Sequence, residues 1–98
     1  ASEAHVNPTG VVHGAVLFAL VDTAMGAATY SVMPEGAICA SIEVQLRFLS
    51  PAAIGTELVT DVRVVKAGSR VVQLDARVHA DGDLVATATG SFAVFTPR

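Results

Sequence analysis

The spacing of apolar residues changes near position 37, and the change divides the chain into a helix followed by strands. From His13 or Gly14 to about Ser31 the residues are apolar on nearly every side, and Pro34 and Gly36 break the pattern soon afterwards. This predicts a single helix over about residues 14–31. From Ala37 onward the period is two: Ile42, Val44, Leu46 and Phe48 alternate with Ser41, Glu43, Gln45 and Arg47, the pattern of a strand with one covered face. Leu58 to Lys66 reads as a second strand, and Ala67-Gly68-Ser69 turns it into a third from Arg70 to Ala80, where Val72, Leu74, Ala76 and Val78 oppose Gln73, Asp75, Arg77 and His79. Asp81-Gly82-Asp83 forms a tight hairpin into a fourth, Leu84 to Phe95. Ahead of the helix, Ser2 to Val6 fits a short strand and Asn7-Pro8-Thr9-Gly10 a turn. The expected class is α+β: one helix covered by an antiparallel meander.

At 98 residues, the chain is read as one domain over 1–98. The apolar share of 52% exceeds what a small isolated domain hides, so part of that surface is expected to meet another subunit. Six basic residues are scattered and the net charge is −3, which excludes a stripe for binding along nucleic acid. Cys39 is the only cysteine, so no intrachain disulfide forms and a cytoplasmic location is expected. Gly14 to Met33 is long enough to cross a membrane. Its Ala, Gly and Thr content and the acid at its centre argue against insertion, and no membrane partner is expected.

That acid is Asp22, the one charge between Val11 and Met33. A carboxylate placed among apolar neighbours loses hydration, which costs free energy unless a partner or a raised pKa compensates. Asp22 is therefore a candidate for chemistry, with local bonding on an exposed helix face as the alternative. Gly14 opens the helix, where backbone N–H groups lack acceptors and the dipole is positive. Its N–H can meet a carbonyl oxygen that gains negative charge; equally, the glycine can serve only close packing. Eight residues of helix separate Gly14 from Asp22, about 12 Å at 1.5 Å per residue. No single carbonyl spans that gap, so joint action requires Asp22 to face Gly14 of a second, antiparallel subunit. His13 fixes the turn or orients substrate. A metal site is not expected, since His5, His13 and His79 lack partners at ligand spacing.

The run Asn7-Pro8-Thr9-Gly10-Val11-Val12-His13-Gly14, Asp22 in the helix, Ser41, and Arg47-Phe48-Leu49-Ser50-Pro51-Ala52 together resemble the hotdog-fold acyl-CoA thioesterases. The branch they resemble is the phenylacetate-pathway, PaaI-like type, and the likeness covers nearly the whole chain. It implies a sheet wrapped around a central helix, dimers with a continuous sheet, pairing of dimers into tetramers, and active sites between subunits. By motif, it makes Asp22 the base or nucleophile and Gly14 the oxyanion donor, with Asn7 and His13 organising the thioester end. Ser41 matches a helper hydroxyl, though an ordinary polar strand residue fits as well. Two departures stand out: His13-Gly14-Ala15 replaces the usual His-Gly-Gly, and only six residues precede Asn7, so the fold is expected to be shortened at its N-terminus.

The implied reaction is hydrolysis of an acyl-CoA to a carboxylic acid and free CoA, with no cofactor. Lys66 and Arg70, flanking a turn, are the first choice of cations for the CoA phosphates, with Arg47 and Arg63 behind them and plain solvation as the alternative. Phe18, Met25, Tyr30 and Met33 are expected to set the depth of the acyl pocket. Rival readings are a module that senses acyl-CoA without turnover and a hotdog hydratase or dehydratase.

Overall fold

The computed structural model describes residues 14–52 and 55–96. It contains a helix α1 (Gly14–Val32) and strands β1 (Ile38–Phe48), β2 (Leu58–Ala67), β3 (Val71–Ala80) and β4 (Asp83–Phe95). Helix and strand boundaries fall within a residue or so of those read from the periodicity, except that β1 starts earlier than its clearest alternation. The expected strand at Ser2 to Val6 lies outside the described residues.

The four strands form one antiparallel sheet in the order β1-β4-β3-β2. Hairpins join β2 to β3 and β3 to β4, as expected. The meander stops there, because β1 lies beside β4 rather than β2. This corrects the simple strand-after-strand order. The correction has a physical basis: no tight turn joins Phe48 to Leu58, so β1 is free to add its apolar face at the opposite edge. At the β3–β4 turn, Asp81 and Gly82 have φ of 50° and 89°, the left-handed pair that suits the twist of a two-residue hairpin. The same Asp81 accepts the Glu57 N–H through Oδ1 at 3.2 Å and donates its own N–H to the Glu57 carbonyl at 3.1 Å, tying the turn to the start of β2.

One stripe of α1, made of Leu17, Val21, Met25 and Thr29, is buried against the sheet. Residues at i and i+4 share a helix face, so this stripe is what a single packed side requires. The Thr29 hydroxyl donates to the Met25 carbonyl at 2.8 Å, so the stripe's polar end is satisfied within the helix. Facing it are Val72, Leu74, Ala76 and Val78 of β3 and Ala86, Ala88 and Phe92 of β4. Small residues in β4 let the helix approach closely: a Cβ added at Gly90 would lie 2.5 Å from Met25 Sδ. The other sides of α1 remain open, with Phe18 43% and Tyr30 52% exposed. A four-stranded sheet covers only one side of a helix, so the helix is not enclosed all round within one chain. By composition, α1 meets the length and hydropathy of a membrane span, yet its apolar stripe lies along the sheet.

Each ladder is interrupted once. Register shifts fall between Ser41 and Glu43, between Val64 and Lys66, and at the Val78/His79 step where Val85 is passed over. Such bulges add one residue to one strand and bend it. They also invert the facing of everything beyond them.

Candidate active site

The inversion at Ile42 changes the place of Ser41. Plain alternation put Ser41 on the polar side with Glu43, Gln45 and Arg47. In the structure Ile42 is the extra residue, and Ser41 pairs with Phe92, a core side chain. Directly opposed residues of an antiparallel pair share a face. Ser41 therefore lies on the helix-facing side, together with Cys39 and Val44, while Ile42 is 59% exposed. The Phe92 ring in turn lies 3.8 Å from the Cβ position of Gly26, one helical turn beyond Asp22.

Asp22 is half-buried, one position round the helix from the buried Val21. Among the described residues its carboxylate is joined to Ser41 by no hydrogen bond and enters no ion pair. The pair thus share a flank, the one toward β1, without touching.

Gly14 is the first residue of α1, so its N–H has no acceptor within the helix. Across from it stands Phe48, the last residue of β1: a Cβ on Gly14 would lie 2.8 Å from Phe48 Cζ and 3.2 Å from Cε1. Glycine here is a requirement of close approach, and the ring it admits was not singled out from the sequence. Its signal was available in the Arg47-Phe48-Leu49-Ser50-Pro51-Ala52 run, but nothing in the run says which residue the helix start will meet. Leu17, Phe48, Leu49, Ser50, Pro51 and Ala52 line an open cleft of about 290 Å³ beside this helix end.

Asn7 and His13 lie outside the described residues. Met25 is fully buried against the sheet and cannot line an acyl pocket, which corrects that expectation. Phe18 and Tyr30 are exposed and Met33 is half-buried. Lys66 and Arg70 are exposed at the β2–β3 turn. The row that contains Ser41 runs through Phe92 and Val72 to Ala67, so these cations sit at the Ser41 end of the sheet. Three strand spacings, roughly 14 Å, lie between. Within one chain the structure therefore brings Gly14 to Phe48, sets Asp22 and Ser41 on one flank, and leaves the cations apart. A larger apolar groove of about 560 Å³ runs along the opposite flank of α1, toward Thr60 of β2, and does not include Asp22.

Known proteins share this fold. A family model described as the thioesterase superfamily matches residues 9–87. Mouse acyl-coenzyme A thioesterase 13 is 31% identical over 88 residues, which is 86% of this chain and 61% of that protein. Two solved structures superpose on the fold with a TM-score of 0.90. One is a Bacillus halodurans protein crystallised with CoA, 32% identical, with 96% of this chain and 62% of that one aligned. The other is a phenylacetic acid degradation-related protein of Ralstonia eutropha, 33% identical, with coverages of 95% and 70%. The chain spans 67%, 62% and 55% of the length of three other curated relatives. By its matched sequence and its helix laid on an antiparallel sheet, the chain belongs to the thioesterase superfamily and is a hotdog-fold protein of the PaaI-like type.

Proposed function

We propose that the protein hydrolyses acyl-CoA thioesters at sites shared between two protomers. One observation carries the shared site. Gly14 and Asp22 stand on a single unbroken helix, eight residues apart, or about 12 Å. Both can act on one carbonyl only if the second comes from a partner whose α1 runs antiparallel. The surface suits such a pairing: Phe18, Ile42, Phe48 and Leu49 are 43%, 59%, 58% and 54% exposed around a β1 edge that, among the described residues, pairs with no further strand. An apolar patch and a bare strand edge are both costly in water and are relieved by a second copy. Edge-to-edge pairing of β1 would continue the sheet across the two-fold axis.

In this reading the thioester carbonyl meets the Gly14 N–H, which together with the positive end of α1 stabilises the oxygen as negative charge develops. The Asp22 carboxylate of the partner takes a proton from water as it attacks, or attacks itself to give a mixed anhydride that water then opens. Either route expels CoA thiolate and yields the carboxylic acid without a metal or redox group. Asn7 and His13 orient the thioester end, and Ser41 holds water or the carboxylate from the inner face of β1. Lys66 and Arg70 are candidates for the CoA phosphates, and the single half-buried Cys39 suits a reducing cytoplasm.

Thiol release across a panel of aryl and aliphatic acyl-CoAs, run beside Asp22→Asn, tests the activity. Loss of about 10²-fold or more in kcat is expected for removal of a catalytic base. Mixing inactive Gly14→Val and Asp22→Asn chains tests the sharing: each mixed dimer then holds one intact site, so activity returns. Failure of mixed dimers to recover any turnover places both groups in one chain and refutes the shared site. Tight acyl-CoA binding with no thiol release would make the protein a sensor instead.

A further inference from the structure

Arg77 of β3 and Thr87 of β4 alternate with the buried Ala76, Val78, Ala86 and Ala88, so they stand on the sheet face turned away from α1. Arg47 of β1 pairs with the same Thr87 from the other side. Two cations thus flank one hydroxyl. In the next row Thr89 lies between Gln45 and Asp75, on the same face as Thr87 and about 6.8 Å from it. Arg47, Asp75, Arg77, Thr87 and Thr89 line a depression of about 190 Å³.

Charge is not balanced there. Arg63 donates to Asp75 Oδ2 at 2.7 Å, so the carboxylate at the depression already has its cation. Asp61 pairs with Arg77 along the ladder, but its carboxylate lies 3.8 Å from His79 Nδ1 and within ion-pair distance of no arginine. Among the described residues, Arg77 enters no ion pair, and Arg47 reaches only the neutral Gln45 Oε1 at 3.4 Å. Two permanently charged guanidiniums are left facing each other across Thr87, an arrangement that an anion between them relieves.

We propose that this depression binds a phosphate dianion. Two strand spacings set the Arg47 and Arg77 backbones roughly 10 Å apart, a gap that two arginine side chains leaning inward close around one ion. Their forks then arrive from opposite sides, while the Thr87 and Thr89 hydroxyls donate from below. Donors spread in this way match the oxygens of a tetrahedral ion; a carboxylate is planar and offers only two. Arginine forks also bond phosphate in bidentate fashion. The open side leaves room for an ester oxygen, so free phosphate and the end of a monoester carry the same chemistry.

The terminal phosphate of CoA is one such monoester. With the thioester at Gly14, however, the substrate lies on the helix side of β1, and the sheet stands between it and the depression. The ligand is therefore a second molecule, a step that rests on the role proposed above for Gly14.

Titration calorimetry of inorganic phosphate into the full chain, at constant ionic strength, tests the site without calling on turnover. Saturable binding with Kd of about 1 mM is expected, and none for acetate. Arg47→Gln and Arg77→Gln should each weaken it by about 10-fold or more, as for loss of a charge-assisted bond, and Arg77→Lys, which keeps the charge without the fork, should recover only part. Binding untouched in both glutamine variants, or lost instead in Lys66→Ala/Arg70→Ala, would overturn the site. CoA and dephospho-CoA titrations separate the two sources of phosphate. Affinities for both that are unchanged in Arg77→Gln support a second ligand. Weakening of CoA alone in that variant would give the site to the substrate and overturn the second ligand. Phosphate binding with no CoA binding would overturn the acyl-CoA reading and leave the phosphate site standing.

Discussion

An alanine at position 14 tests the closest contact of the candidate site. Its Cβ would sit 2.8 Å from Phe48 Cζ and 3.2 Å from Cε1. Carbon atoms rest about 3.5–4.0 Å apart, so the ring must withdraw by about 0.7–1.2 Å. Phe48 is 58% exposed and has room to swing, which holds the stability cost below the 1–3 kcal/mol of overpacking in a sealed core. A cost of about 1 kcal/mol lowers Tm by roughly 4–8 °C in a domain of this size. Kinetics should suffer more than stability. Phe48 stands as a wall against Gly14, whose N–H is the proposed oxyanion donor, and a misplacement of about 1 Å near reacting atoms costs up to about 10²-fold. Gly14→Ala is therefore expected to lower kcat/KM by about 10- to 100-fold while its melting curve stays cooperative. Phe48→Leu removes the same wall from the other side. The two losses should then fail to add: the double variant should be little worse than Gly14→Ala, as for residues in contact. Full activity in Gly14→Ala would refute the reasoning, and so would strictly additive losses.

Further outcomes follow from the core and the turns. Gly90→Ala places a Cβ 2.5 Å from Met25 Sδ, with Met25 fully buried, so destabilisation of about 1–3 kcal/mol is expected by thermal melting; shortening Met25 to Val in the same chain should recover part of it. Gly82→Ala forces a side chain onto a φ of 89°, costing roughly 1–2 kcal/mol with little effect on kcat. Ser41→Ala should leave stability within about 0.5 kcal/mol, as for an exposed site, and lower kcat if its hydroxyl holds water or the partner's carboxylate. An unchanged kcat would return Ser41 to an ordinary strand residue.

The fold was legible where local rules act alone. Helix α1 announced itself by its stop at Pro34 and Gly36, and β3 by strict alternation, because it is covered by neighbours on both sides and runs straight through its clearest stretch. β1 was misread at one position. A bulge leaves no mark in apolar spacing when the extra residue is itself apolar, and Ile42 continued the run of Val44, Leu46 and Phe48 while standing outside it. The misreading turned Ser41 to the wrong face. Strand order was hidden for a different reason: β1 and β2 are close in sequence, but the choice between docking at β2 and at β4 is decided by the two edges of a finished sheet. Asp22 and Gly14, by contrast, stand out in the sequence as candidates because each breaks a local expectation, a charge amid apolar residues and a missing side chain at a helix start.

The shared-site proposal rests on one rigid element. Gly14 and Asp22 are fixed on a rigid rod, so no rearrangement of side chains closes the distance between them, and only a second rod alongside does. Under the shared-site proposal the exposed apolar flank around β1 loses water when two copies pair, so the pairing should hold in about 1 M NaCl and turnover per site should be kept there. A fall to monomer in salt with loss of turnover would mean that charge, not apolar burial, joins the two copies, and the surface assigned to the shared site would have to be exchanged.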